Sequence, residues 1–404
     1  MTIPVSLFTF KCNMCFSVGR VRILQLYGLY LCVFVEYSHA TTIPRDVPLG
    51  APCEISGGVF GRCQEIQSCL REGGVIQWDG QISVCRSNNA NINVCCRHPM
   101  KIADELCSAW SSYWRGDNNC GRDNPLIFGG VDASPGEFPH IAILGAQSQP
   151  GGQISWQCGG SLVSPDYVLT AAHCVKWDNL IYWITLGEHD LSFTPNEELP
   201  RLRGPIPASL YNFEVLQRAN VARSPVQQRL RVLQVIRHPG YQEARKYHDL
   251  ALLRLERSAT LTERVLPACL PTHPTEDILG GEGAIAGWGR TGSGLIEITD
   301  VLQKATVPVK DLIECQTEIA QRDRIAAAFG LLEDQLCAGG DGADSCRGDS
   351  GGPLMKQVPR GGAPCEQTVV GVVSFGLGCG SYGIYARVAA YLDWITGYIA
   401  PNVS

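Results

Sequence analysis

Apolar positions in the second two-thirds of this chain fall in short runs with β-type spacing. Residues 161–163 and 167–172 are two such runs, separated by the turn signal Ser164-Pro165-Asp166. Residues 250–255, 282–288 and 369–375 repeat the pattern, each a brief apolar stretch bounded by polar residues or glycine. One helical period closes the chain, at residues 388–399, and no other long helix is predicted. The N-terminus differs. An apolar run at residues 23–35 follows Lys11, Arg20 and Arg22 and leads into Ser38-His39-Ala40, small residues suited to signal cleavage. The run is too short for a membrane span, so residues 1–40 read as a removed signal, with Met14 as a more typical start. Residues 199–225 carry Pro200, Pro205, Pro207 and Pro225 and no periodicity. Two readings of them stay open, a long exposed loop and an unspliced intron.

Composition narrows the class. With 404 residues the chain has room for two unequal domains. Hydrophobic residues at 45% and charged residues at 18% are ordinary for a globular protein. A net charge of −6 offers no basic surface for nucleic acid. Nineteen cysteines point to an oxidising compartment and to disulfides. No pair of Cys-x-x-Cys or Cys/His motifs with zinc spacing occurs downstream of the N-terminus. Cys12, Cys15 and Cys32 leave with the signal, and sixteen remain. Six of those, Cys53, Cys63, Cys69, Cys85, Cys95 and Cys96, crowd into residues 53–96, where disulfides must stand in for a large core. Six cysteines allow fifteen pairings.

The chemistry concentrates in Gly348-Asp349-Ser350-Gly351-Gly352-Pro353. A serine hydroxyl is a poor nucleophile until a neighbouring base takes its proton. Flanking glycines allow a tight turn that brings backbone amides to a developing oxyanion. His173, in Thr170-Ala171-Ala172-His173-Cys174, supplies a base, and Asp249, just before an apolar strand, supplies an acid. Singly, each has an ordinary reading: a turn serine, a core histidine, a surface aspartate. In the order His…Asp…Ser and in these contexts they resemble the chymotrypsin-like (trypsin-type) serine proteases over residues 127–404.

That resemblance implies an all-β fold of two packed six-stranded antiparallel barrels with a C-terminal helix, the triad lying in the cleft between them. It implies that the Gly348 and Ser350 amides form the oxyanion hole and that Ser374 lies near Asp249. Asp344, six residues before Ser350, takes the floor of the specificity pocket, with Ser345 beside it and Gly376 and Gly383 leaving its walls open. A carboxylate there favours substrate Arg or Lys. Ile127-Phe128-Gly129-Gly130 resembles the mature N-terminus of the family, whose freed ammonium pairs with Asp349. The bond to be cut follows Leu126, which a basic-preferring enzyme cuts poorly. An upstream protease with a chymotrypsin- or elastase-like pocket is therefore expected.

The cysteine-rich segment 53–96, closing on a Cys-Cys doublet, resembles the clip domain of arthropod proteases. The implied pairs are Cys53–Cys95, Cys63–Cys85 and Cys69–Cys96. Residues 41–52 form a lead and 97–126 a linker. In the protease domain the resemblance implies Cys158–Cys174, Cys315–Cys337 and Cys346–Cys379, with Cys120–Cys269 tying on the linker. Cys107–Cys365 then remains, because the usual partner of Cys365 falls at Gly283. The Leu126 junction resembles the snake-like group C clip proteases. It implies a secreted cascade enzyme of haemolymph-like fluid, a downstream protease zymogen as substrate and a serpin-type inhibitor, with no nucleic-acid partner and no membrane span in the mature protein. No cofactor is required, although Glu188 and Glu198 stand ten apart, as in the calcium loop of trypsin. A digestive trypsin-like enzyme and a non-catalytic adaptor are the competing readings.

Overall fold

The computed structural model describes residues 20–24, 32–36, 47–56, 59–72, 74–78, 81–87, 92–111, 130–176, 180–192, 227–272, 281–289, 299–322, 329–340, 349–357, 367–376 and 381–400. They divide into two compact units, one within residues 1–98 and one spanning residues 99–400.

In the first unit β1 (Arg20–Leu24) pairs with β2 (Cys32–Glu36). Next come β3 (Pro52–Ser56), β4 (Val59–Glu65), the short helix α1 (Ile66–Arg71), β5 (Gln77–Trp78), β6 (Gln81–Ile82), β7 (Val84–Ser87) and β8 (Ile92–Cys96). The main sheet runs β3-β4-β8-β7, and β5 pairs with β6. Among the described residues apolar packing here is slight: Ile76 and Val94 gather around Cys69 and Cys96. Cys53–Cys95, Cys63–Cys85 and Cys69–Cys96 cross-link the sheet and helix in place of a larger core.

The second unit opens with a helix that the sequence pattern did not predict, α2 (Pro99–Ser111). It buries Ile102, Ala103 and Cys107 along one stripe and packs against the C-terminal helix. After β9 (Val131–Asp132), six strands close a barrel: β10 (Ile141–Gln147), β11 (Ser155–Ser164), β12 (Tyr167–Thr170), β13 (Ile181–Leu186), β14 (Gln228–Arg237) and β15 (Ala251–Leu255). Its order is β10-β11-β12-β15-β14-β13. β14 alternates strictly at its start, with Gln228, Leu230 and Val232 inward and Arg229, Arg231 and Leu233 outward. Leu144, Leu162, Val168, Ile184, Leu186, Leu230 and Leu253 fill the interior.

A second barrel follows from β16 (Glu282–Gly287), β17 (Gln303–Lys310), β18 (Gln335–Gly339), β19 (Pro353–Gln357), β20 (Gln367–Gly376) and β21 (Tyr382–Arg387), with α3 (Leu312–Arg322) between β17 and β18. The order β16-β19-β20-β21-β18-β17 closes through β16–β17, and β9 adds to the edge of β17. Ile285, Val307, Leu354, Val373 and Tyr385 lie in its core. A third apolar cluster joins Ile141 and Ile143 of the first barrel to Ala286 and Met355 of the second, with Trp288 and Leu302 beside them, and so cements the two together. The fold is all-β, as expected. At the C-terminus a 3-10 turn, Val388–Tyr391, precedes α4 (Leu392–Ile399).

Two disulfide expectations are corrected. Cys107 bonds to Cys269, so neither Cys120–Cys269 nor Cys107–Cys365 forms. The reason is the unexpected helix. α2 turns Cys107 into the domain, where it is 2% exposed against 1% for Cys269, with 4.9 Å between their Cα atoms. A cysteine in an extended linker has no such fixed direction. Cys158–Cys174 and Cys315–Cys337 are also formed. Cys120, Cys346, Cys365 and Cys379 lie outside the described residues.

Candidate active site

The register of two neighbouring strands brings His173 and Asp249 together. β12 and β15 are antiparallel, with Thr170 opposite Ala251. The chain leaving β12 therefore emerges beside the chain entering β15. A 3-10 turn, Ala172–Val175, carries His173 from one side, and Asp249 sits just ahead of β15 on the other. His173 Nδ1 lies 2.7 Å from Asp249 Oδ2, and the His173 backbone N–H donates to Oδ1 at 2.9 Å. Ser374, on β20 of the second barrel, donates its hydroxyl to Asp249 Oδ2 at 2.5 Å. Asp249 is 1% exposed. A carboxylate so buried needs donors on both oxygens, and these three supply them. Its bond to Nδ1 leaves Nε2 as the nitrogen available to take a proton.

Ser350 lies in a turn pinned to both barrels. Its carbonyl accepts the N–H of Gly159 on β11 at 2.8 Å. The next residues pair with β20, Gly351 N–H to Val373 O and Val373 N–H to Gly352 O, each at 2.9 Å. Gly351 has φ +77°, and a Cβ there would run into the Thr170 hydroxyl and the Gly159 carbonyl. Only glycine suits that backbone and that space. The Cys158–Cys174 bridge ties the same region together: Cys174 Sγ is 3.7 Å from His173 Nε2 and 3.6 Å from the Ser350 carbonyl oxygen. Thr170 adds a bond from its hydroxyl to Gly159 O at 2.7 Å. Its only signal in the sequence is a hydroxyl at a strand end, three residues before His173.

Asp349 points away from this turn. Its Oδ1 accepts the Gly289 N–H at 2.9 Å, and a Cβ on Gly287 or Gly289 would collide with the carboxylate. It borders a cavity of about 50 Å³ lined by Ile143, Trp156, Gly287 and Trp288. Gly376 and Gly383 face each other as a cross-strand pair of β20 and β21. Leu126, Ile127, Glu198, Asp344, Ser345 and Gly348 lie outside the described residues.

The group Cys158, His173 and Cys174 does not fit an ion. The ligand atoms of Cys158, His173 and Cys174 lie within 4.8 Å of one another, but both sulfurs are spent in the disulfide. Glu188 Oε1 accepts the N–H groups of His189 at 2.9 Å and Asp190 at 3.1 Å, and Oε2 accepts the Gln227 amide. Burial also pushes the Glu188 carboxyl up from its usual range, against the partial opposition of those two backbone bonds.

Comparison with known proteins bears on the whole arrangement. The trypsin family pattern matches residues 127–214 and 206–395. Phenoloxidase-activating factor 3 of Holotrichia diomphalia is 34% identical over 366 residues, covering 85% of this chain and 92% of its own. Serine protease snk of Drosophila melanogaster is 31% identical over 383 residues, 88% of this chain and 80% of its own. CLIP domain-containing serine protease HP8 of Bombyx mori is 35% identical over 292 residues, 68% of this chain and 70% of its own.

Proposed function

This chain belongs to the clip-domain serine proteases of the trypsin family, and from that premise we propose that it is a secreted zymogen whose mature form cleaves after Arg or Lys. The observation that carries the reading is the 2.7 Å contact of His173 Nδ1 with buried Asp249, set against the pinned Ser350 turn. His173 takes the Ser350 proton as the hydroxyl attacks the scissile carbonyl, and returns it to the leaving amine. Asp249 holds the imidazole in the tautomer that keeps Nε2 free and stabilises the imidazolium as it forms. The amides of Gly348 and Ser350 receive the oxyanion. No cofactor takes part in these steps.

Specificity rests on Asp344 and Ser345 at the floor of the pocket and on Gly376 and Gly383 in its walls. Cleavage between Leu126 and Ile127 frees the ammonium that pairs with Asp349. In this reading residues 1–40 are the signal, 53–96 the clip domain, 97–126 the remainder of the light chain and 127–404 the protease domain. Among the described residues no helix is long and apolar enough to cross a membrane. Relatives named for phenoloxidase activation support a place in an extracellular proteolytic cascade of immunity or development. There a protease zymogen is the substrate, another protease the activator and a serpin-type protein the inhibitor.

Ser350→Ala tests the reading. Secretion should continue and amidase activity on Arg peptides should fall at least about a thousandfold, as for other triad losses. Activity near that of the unaltered protein would refute the triad.

A further inference from the structure

The two residues ahead of Asp249 reach across to the second half of the protease domain. Tyr247 donates its hydroxyl to the Phe329 carbonyl at 2.5 Å and lies 3.1 Å from that of Gly330. His248 Nδ1 is 2.9 Å from Asp334 Oδ2 and 3.1 Å from the Tyr391 hydroxyl, which itself donates to Asp334 Oδ2 at 2.7 Å. Phe329, Gly330 and Asp334 precede β18, and Tyr391 ends the 3-10 turn ahead of α4. Both residues belong to the connection between β14 and β15, so each bond joins one half of the domain to the other.

The backbone at His248 is left-handed, with φ +53°. A residue with a Cβ adopts that region at a disadvantage, and it persists only where surroundings over-determine it. Here they do. The His248 carbonyl accepts the Leu250 N–H at 2.8 Å, which closes a three-residue turn with Asp249 at its centre. The His238 ring lies against His248, with centroids 5.2 Å apart and planes at 31°, and Trp394 lies edge-on to His238 at 5.2 Å. Gly240 leaves the room: a Cβ there would come within 2.9 Å of the His248 ring. The His248 side chain is still 30% exposed, so burial of apolar area does not account for the arrangement.

We propose that His248, anchored by Asp334 and Tyr391, is a positioning residue that holds the Asp249 turn across the two barrels and keeps its carboxylate on His173. Asp249 takes its aim from its own backbone as well as from its hydrogen bonds, and His248 is the residue that sets that backbone. The proposal rests on the triad reading above.

The activated protein tests it, with kcat and KM measured on an Arg peptide amide per folded molecule by circular dichroism. His248→Gly keeps the left-handed backbone and loses the ring. Asp334→Ala loses the anchor. His248→Asn tolerates the backbone and keeps a donor. Small misplacements of catalytic groups can lower rates up to about a hundredfold, so His248→Gly and Asp334→Ala should each lower kcat roughly ten- to hundredfold with KM little changed. The double variant should be no worse than either alone, and His248→Asn should recover most of the loss. A His248→Gly enzyme with kcat within twofold of the unaltered protein, while Asp249→Asn is inactive, overturns the positioning role and leaves the triad standing. Additive losses in the double variant, or no recovery with Asn, overturn it too. An active Asp249→Asn enzyme overturns the triad reading and this proposal with it. Should His248→Gly not fold, Asp334→Ala decides alone.

Discussion

At the scale of single residues, buried polar groups are where this protein is most exposed to its conditions. His140 has no solvent exposure; its Nε2 lies 3.0 Å from Met355 Sδ, and burial pushes its pKa down to about 3. His238 is pushed down to about 4 by burial and by the neighbouring His248, against the pull of Asp334. Its Nδ1 accepts the Gly240 N–H at 3.2 Å, which requires the neutral ring. The unfolded chain protonates these histidines near pH 6.5, whereas the folded protein does not until pH about 4 for His238 and about 3 for His140. Their contribution is whole above pH 6.5 and is lost as pH falls through that window, by up to about 1.4 kcal/mol per pH unit for each proton involved. His140→Leu should flatten the decline. Denaturant midpoints at pH 7, 6, 5 and 4 measure it, and parallel curves for the two proteins would contradict the assignment.

At the scale of elements, β12 and β15 were legible as two apolar runs; their antiparallel pairing, which the structure alone shows, delivers His173 and Asp249 to one end of the barrel. The helix α2 was not legible. Its buried stripe of Ile102, Ala103 and Cys107 acquires meaning only against the C-terminal helix. Its disulfide closes a sequence separation of 162 residues. Cys107→Ala should therefore lower stability by about 2–5 kcal/mol, the usual range for a native bridge. Non-reducing peptide maps should join the Cys107 peptide to the Cys269 peptide; a free Cys269 thiol would count against the pairing.

At the scale of the whole molecule, one barrel supplies the proposed base and acid, His173 and Asp249, and the other the proposed nucleophile turn at Ser350, with Ser374 reaching back across the divide to Asp249. Such a site forms only when both halves are docked. The proposed pocket carries Asp344 and the proposed junction carries Leu126, so the mature enzyme should not process its own zymogen. Leu126→Arg should produce self-activation, or activation by trypsin. Incubating each zymogen alone at high concentration and sequencing the new N-termini checks this. Release of Ile127 by the unaltered protein as fast as by the variant would remove the need for a separate activator.

The sequence by itself determined what depends on residue type at adjacent positions. The glycine-bounded Ser350, the His173 and Asp249 contexts and the dense cysteines of residues 53–96 are local demands of chemistry or of a small core, so they stand in the linear order. Tertiary structure alone decided what depends on direction in space. Cys107 finds Cys269 because a helix aims it there. Glu188 meets the Gln227 amide because the fold brings that residue beside it. The two residues before Asp249 matter because Phe329, Gly330, Asp334 and Tyr391, more than eighty positions downstream, come within reach of them.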